Sequence, residues 1–226
     1  MTANSTPRPG RDAPAVDGYL TETLSIGDEV LTAALRASAD AGLPDIAVSP
    51  TQGRLLQLLV EVLGVQQVLE VGTLGGYSTI CLARGGARVT TLELEPRHAE
   101  VATGNVARAG LADRVEILLG PAADTLTRLV ADGAGPYDLV FVDADKRNNA
   151  AYVRAALDLS RPGTLIIVDN VIRGGQVTDE ASTDPNVVGT RQVLALLGSE
   201  PRLASATALQ TVGHKGWDGF ALARVR

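Results

Sequence analysis

Two of the chain's apolar, β-branched runs finish on oxygen donors. Residues 137–144 read YDLVFVDA and contain Asp143, while residues 164–170 read TLIIVDN and close on Asp169 and Asn170. If the two runs are neighbouring strands, three hard oxygen ligands meet at their ends. Such a set suits Mg²⁺ first, or Mn²⁺ or Ca²⁺, and leaves coordination positions for water or substrate oxygens. Zinc is disfavoured, because only His98 and His214 are available and neither lies near these acids in the chain. Capping or turning the chain after a strand is the competing use of Asp; two acids together with an Asn make it the weaker account. Lys146 follows Asp143 by three residues. Beside a cation its neutral amine is favoured and can act as a base, whereas a solvated lysine balancing Asp145 is the plainer alternative. The candidate catalytic pair is therefore Lys146 and Asp143, and the chemistry is proton removal beside a metal.

A second site is announced by a glycine turn. The run at 67–72 continues as Glu70-Val71-Gly72-Thr73-Leu74-Gly75-Gly76-Tyr77-Ser78, where glycines permit a tight turn and let a ligand approach the backbone. A dinucleotide fingerprint starting at Gly72 needs glycine at 74 and 77, and those positions hold Leu74 and Tyr77. Nicotinamide binding is thereby disfavoured. Glu93 ends the next run, twenty-one residues after Gly72, where an acid can accept from both hydroxyls of a ribose. Glu70 could accept from a ligand ammonium. An exposed loop acid is the alternative for either residue, but acids beside a buried strand end need partners. His98, inside an expected helix, reads as a surface residue.

The elements that must position these groups are legible as a change of period. Residues 19–41 carry Leu20, Leu24, Leu31 and Leu35 at helical spacing, and Gly42 stops the helix. A second helix begins with Ser49 as cap, Pro50 in the first turn and Gln52 in the capping-box position, and ends at Gly64. Five apolar runs follow, at 67–72, 88–94, 115–120, 137–144 and 164–170, separated by helical stretches. Runs without polar alternation are strands covered on both faces, and the intervening helices supply the crossovers of a parallel sheet. Two last runs, near 203–211 and 217–225, are joined too tightly for a crossover and must pair as an antiparallel hairpin. The expected fold is α/β: a single-domain, seven-stranded, mostly parallel sheet with a C-terminal antiparallel hairpin and helices on both faces. Residues 1–17 are expected to form a disordered tail, with 18–226 the domain and 18–65 its N-terminal helical addition.

Bulk properties narrow the partner. The 226 residues carry a formal net charge of −6, which argues against a surface that neutralises many phosphates, so nucleic acid is an unsuitable partner. One cysteine, Cys81, excludes an intramolecular disulfide and fits a reducing compartment; its apolar neighbours mark it as core filler rather than nucleophile. The first 17 residues lack the apolar stretch of a secretory signal, and no run approaches the roughly 18 apolar residues of a membrane span. A cytoplasmic enzyme acting on a small molecule is expected.

The ordered set VSPTQG, LEVGTLGGYS, LELEP, FVDADK, VDN and KGWDGFALA, from about Val48 to the C-terminus, resembles the cation-dependent O-methyltransferases that include the caffeoyl-coenzyme A and catechol enzymes. The resemblance implies a Rossmann-like S-adenosylmethionine methyltransferase fold. It also implies that Val48, Glu70, Gly72, Thr73, Ser78, Glu93, Ala122, Asp143 and Asp145 line the S-adenosylmethionine site, and that Asp143, Asp169 and Asn170 hold the metal. The implied reaction is in-line methyl transfer to a hydroxyl of a small hydroxylated aromatic acceptor bearing vicinal oxygens, with Lys146 helping to remove the proton. A homodimer is implied too, built from the N-terminal helix and the loop at 171–188. That loop is expected to form part of the acceptor pocket, with Trp217 either an aromatic wall or core packing. Two departures block inheritance of the substrate: Ala144 stands where the catechol enzyme has a His after the first metal Asp, and Gly174 where plant enzymes have a substrate-contacting Asn. The alternatives are an NAD-dependent oxidoreductase or a non-catalytic nucleotide-binding dimer on a related sheet; the glycine spacing disfavours the first and the intact Asp143, Lys146, Asp169 and Asn170 set the second. An acidic balance and the lack of an N-P-P-Y-type segment disfavour base methylation of nucleic acid.

Overall fold

The structure, a computed structural model, describes residues 12–226. Seven strands form one sheet: β1 (Gln67–Val71), β2 (Arg88–Glu93), β3 (Val115–Leu119), β4 (Tyr137–Val142), β5 (Ser160–Asp169), β6 (Leu203–Gly213) and β7 (Gly216–Val225). Their spatial order is β3-β2-β1-β4-β5-β7-β6. The first five are parallel, and β7 returns antiparallel between β5 and β6. Each parallel step is made by a helix: α4 (Tyr77–Arg84), α5 (Pro96–Arg108), α6 (Ala122–Ala131) and α7 (Asn149–Asp158). The final two strands need only a tight turn at His214 and Lys215, as their antiparallel pairing allows.

The unbroken apolar runs are explained by two cores, one on each face of the sheet. Alternate residues of a strand point to opposite sides, so Leu69, Val71, Val140, Val142, Ile166 and Val168 pack with Val153 and Leu157 of α7 and with Val193 of α8 (Pro185–Ser199). On the other face Val68, Leu139, Phe141 and Ile167 pack with Ile80 of α4 and with Leu56 and Val60 of α3 (Pro50–Leu63). Among the described residues no helix is long and apolar enough to cross a membrane.

The N-terminal region differs from the expectation in two ways. The helix expected over 19–41 is two helices, α1 (Ala13–Thr23) and α2 (Glu29–Asp40). The break falls at Ser25, which has a left-handed φ of 50°, and Asp28, whose Oδ1 accepts from the Leu31 amide and caps α2. The leucine spacing runs across this break without marking a common buried face: Leu24 falls at the end of α1 and is exposed, and only Leu31 of the four is buried. The tail expected through residue 17 is also shorter, since Asp12 caps α1 by accepting from the Ala15 amide; residues 1–11 of that tail lie outside the described residues. The cap of α3 is as expected at its start and end, with the Gln52 amide donating to Ser49 Oγ and Gly64 left-handed at φ 63°. Its capping box is not closed, because the Gln52 side chain is used elsewhere.

Behind the end of β4 the chain makes a short 3-10 turn, Lys146–Asn148. Helix α8 supports this turn through Gly189, where an added Cβ would lie 2.4 Å from the Lys146 carbonyl oxygen and 2.5 Å from Arg147 Cα. No flexible side chain is there to yield. Gly189→Ala is expected to destabilise by about 1–3 kcal/mol through overpacking, each kcal/mol lowering Tm by about 2–4 °C at this chain length, and to lower turnover by displacing Lys146. A thermal melt with a parallel activity assay checks both effects.

Candidate active site

The carboxyl ends of β1, β2, β4 and β5 open into one cavity of about 1000 Å³, where ligands collect in open parallel sheets. Of the residues singled out from sequence, Val48, Gly72, Thr73, Ser78, Glu93, Ala122, Asp143, Asp145, Lys146 and Asn170 line it. Glu70 and Asp169 do not. Both are buried behind the wall, at 0% and 4% exposure, and reach the cavity only through neighbours.

The glycine turn is built by internal carboxylates. Glu93 Oε2 accepts from the Leu74 amide at 2.7 Å, and its Oε1 accepts from the Leu94 and Glu95 amides, both at 2.9 Å. Thus Glu93 ties the end of β2 to the turn after β1, while its free lone pairs face the cavity. His98, expected at the surface, instead lines the cavity, with Nδ1 3.4 Å from Glu93 Oε1. Glu70 has no room to meet a ligand ammonium, because its carboxylate accepts from the Ser78 and Thr79 hydroxyls beneath the turn. Burial pushes its pKa up to about 7, against the lowering effect of those hydroxyls. Ser78 therefore stands between Glu70 and the cavity. Gly72 also has a steric reason of its own: an added Cβ would sit 2.5 Å from the Asp143 carbonyl oxygen. Its glycine serves the close approach of two strand ends beside the cavity that it lines. Thr73 is buried and shares a 2.6 Å hydrogen bond with Thr91.

The acids of β4 and β5 converge as their adjacency requires. Lys146, 8% exposed, donates to Asp143 Oδ1 at 2.6 Å. Asp169 accepts from the Asn170 amide at 2.8 Å and, at its other oxygen, from Gln52 Nε2 at 2.8 Å. Gln52 is the positioning residue that sequence reading missed; its capping-box spacing pointed to the helix end, and the unused box is the signal that its amide works elsewhere. Burial first, and then the negative charge of Asp143, push the Asp169 carboxyl up to about 7. Lys215, on the β6–β7 turn, feels Asp45, Asp143 and Asp169, whose charges oppose the desolvation that lowers its pKa. Asp145 is held by Tyr152 Oη at 2.5 Å, Asn148 Nδ2 at 2.6 Å and Arg147 Nε at 3.2 Å. Trp217 is neither cavity wall nor core: it is 48% exposed and its indole donates to Gln210. From the loop at 171–188 only Arg173 reaches the cavity wall.

Two carboxylates that repel each other in a buried site, with an amide oxygen beside them, fit a hard dication by donor type. Among the described residues no three His, Cys, Asp or Glu side chains could hold a metal, so a cation here would need the Asn170 oxygen. Asn170 takes a left-handed φ of 58°, a conformation Asn tolerates better than most residues.

The O-methyltransferase family model matches residues 21–224. The chain belongs to the O-methyltransferase family. A catechol O-methyltransferase of Mycobacterium tuberculosis is 56% identical over 216 residues, covering 94% of this chain and 96% of that protein. Another, of Niastella koreensis, is 50% identical over 215 residues, covering 94% and 97%. The O-methyltransferase from Bacillus cereus, solved in complex with SAH, superposes with a TM-score of 0.92 at 52% identity, covering 95% and 98%. This methyltransferase thus has the sheet order and closing hairpin of its solved relatives.

The burial of Asp169, with the charge of Asp143 beside it, has a measurable consequence. A carboxyl whose pKa rises from 3.8 to about 7 on folding contributes stability that is fully present below the lower value and is lost as pH rises through the upper one. In chelator, Asp169→Asn is therefore expected to raise Tm, and to raise it more at pH 8 than at pH 5. Melting curves at the two pH values check this; a Tm lowered equally at both would rule out the raised carboxyl pKa.

Proposed function

We propose that this enzyme transfers the methyl group of S-adenosylmethionine to one hydroxyl of a small catechol-like acceptor, with a divalent cation held by Asp143, Asp169 and Asn170. That it is an S-adenosylmethionine-dependent O-methyltransferase follows from family and fold; the metal, the residue roles and the acceptor class are the proposal. The observation that carries it is the meeting of Asp143, Lys146 and Asp169 at neighbouring strand ends, beside a cavity whose other end carries Glu93. From β2 to β5 the sheet spans three inter-strand spacings, about 14 Å, so a ribose at Glu93 and an acceptor at Asn170 fit one extended donor between them.

Val48, Gly72, Thr73, Ser78, Glu93, Ala122, Asp143 and Asp145 bind the donor, and Glu70 supports it through Ser78. Glu93 accepts from a ribose hydroxyl at the Oε2 site that its backbone amides leave free. Asp143, Asp169 and Asn170 would hold Mg²⁺, or Mn²⁺ or Ca²⁺, which would supply Lewis-acid activation of an acceptor hydroxyl. Lys146, as the neutral amine, accepts the hydroxyl proton at Nζ; the oxygen then forms its bond to the methyl carbon as the carbon–sulfur bond breaks, leaving S-adenosylhomocysteine. Asp143 Oδ1 accepts from Lys146 Nζ at 2.6 Å, so the carboxylate that would hold the cation also positions the base. Positioning is the protein's main contribution, since a near-attack arrangement of oxygen, carbon and sulfur accounts for much of such a rate. Exposed Val16 and Tyr19 on α1 support a homodimer, and a cytoplasmic setting completes the reading.

Excess EDTA is expected to abolish methylation of a vicinal diphenol by labelled donor and Mg²⁺ to restore it; full activity in chelator would sink the metal role. Lys146→Ala is expected to lower kcat by about 10²–10⁴-fold with the donor KM within a few-fold of wild type. Unchanged turnover in a steady-state assay would remove Lys146 from the mechanism.

A further inference from the structure

We propose that Arg173 recognises an anionic substituent of the acceptor, so that the favoured substrate is a vicinal diol whose ring also carries a carboxylate. This rests on the acceptor reading above and deepens it.

Arg173 lies three residues beyond Asn170, in the cavity wall, at the end of the sheet opposite Glu93. Its neighbours in charge are already engaged: Lys146 pairs with Asp143, Arg147 with Asp145 and Arg36 with Glu29. Arg173 has no such acid among the described residues, and its Nε is buried without a hydrogen-bond partner. A buried donor left unmade is costly; Nε itself is shut off from the cavity, so an incoming carboxylate would pair its two oxygens with the two Nη groups of the planar fork.

The backbone makes the same point independently. Arg173 has a left-handed φ of 56°, continued by Gly174 at 61° and Gly175 at 86°. Glycine adopts this conformation freely and a side chain resists it, so the arginine carries a backbone cost at 173 that a glycine would not. The conformation is enforced from outside: Asp218 Oδ1 accepts from the Ile172 amide at 3.0 Å and the Arg173 amide at 3.1 Å. Gly175 lies so close to Trp217 that an added Cβ would be 2.7 Å from the ring. A strained residue held this firmly, with an unmatched cation in the binding cavity, is a preorganised anion receptor.

The test uses the full chain in Mg²⁺ with saturating S-adenosylmethionine. Steady-state constants are measured for 3,4-dihydroxybenzoate and for its neutral amide, in wild type, Arg173→Gln and Arg173→Gly. Wild type is expected to favour the acid by about tenfold to a hundredfold in kcat/KM, chiefly through KM, and both variants to bring the ratio near one. Arg173→Gly suits the left-handed backbone and should keep the wild-type Tm, separating lost recognition from lost folding. Equal use of acid and amide by wild type overturns the inference. So does an acid preference that survives in both variants, or a raised donor KM with the ratio intact, which would assign Arg173 to the donor's own carboxylate. Methylation of neither diol by wild type overturns the acceptor class and the inference together, whereas methylation of the amide alone overturns only the inference.

Discussion

The structure is organised around two like charges brought together at adjacent strand ends. Asp143 follows β4 and Asp169 ends β5, and parallel pairing of the two strands leaves these carboxylates no choice but to meet. Burial first, and the neighbouring charge of Asp143 second, raise the free energy of the ionised Asp169 and push its carboxyl pKa up. Lys146 and Gln52 relieve part of it, one from the turn after β4 and one from α3. A dication, as proposed above, would relieve the rest.

Other charged groups at the strand ends are spent on shape. Glu93 gathers three backbone amides and Glu70 two hydroxyls, so these acids hold the glycine turn in the conformation that makes one wall of the cavity. Gly72 and Gly189 play the matching steric role, each standing where backbone from the Asp143–Arg147 stretch passes too close for a Cβ. The reactive stretch is thereby clamped from β1 on one side and α8 on the other. This rigidity is what in-line transfer demands, because small errors in the distance between oxygen and methyl carbon reduce the rate sharply.

Family membership and fold are matched by 50–56% identity to two catechol O-methyltransferases over nearly the whole chain, yet the acceptor wall is where this chain speaks for itself. Ala144 lines the cavity where a bulkier residue would take up space, and Arg173 adds a charge to its wall.

The seven strands, the mostly parallel sheet, the closing hairpin and the acids at the strand ends were legible in the sequence, because a two-sided sheet demands unbroken apolar runs and their polar ends stand out against them; β5 nevertheless begins at Ser160, ahead of its apolar run at 164–170. Local spacing also announced the caps of α3. It could not reveal the break near Ser25, since leucines at helical spacing on two successive helices have nearly the same pattern as on one, although of the four only Leu31 is buried. Nor could it tell a residue lining a cavity from one just behind it: Glu70, Asp169 and His98 changed places relative to expectation, and Gln52 joined Asp169 from 117 residues away. Residue type and order alone thus determined the fold and the kind of chemistry. Which side chains touch which was decided only by tertiary packing, because hydrogen-bond partners are chosen by distance in space and the chain's periodicity carries no record of it.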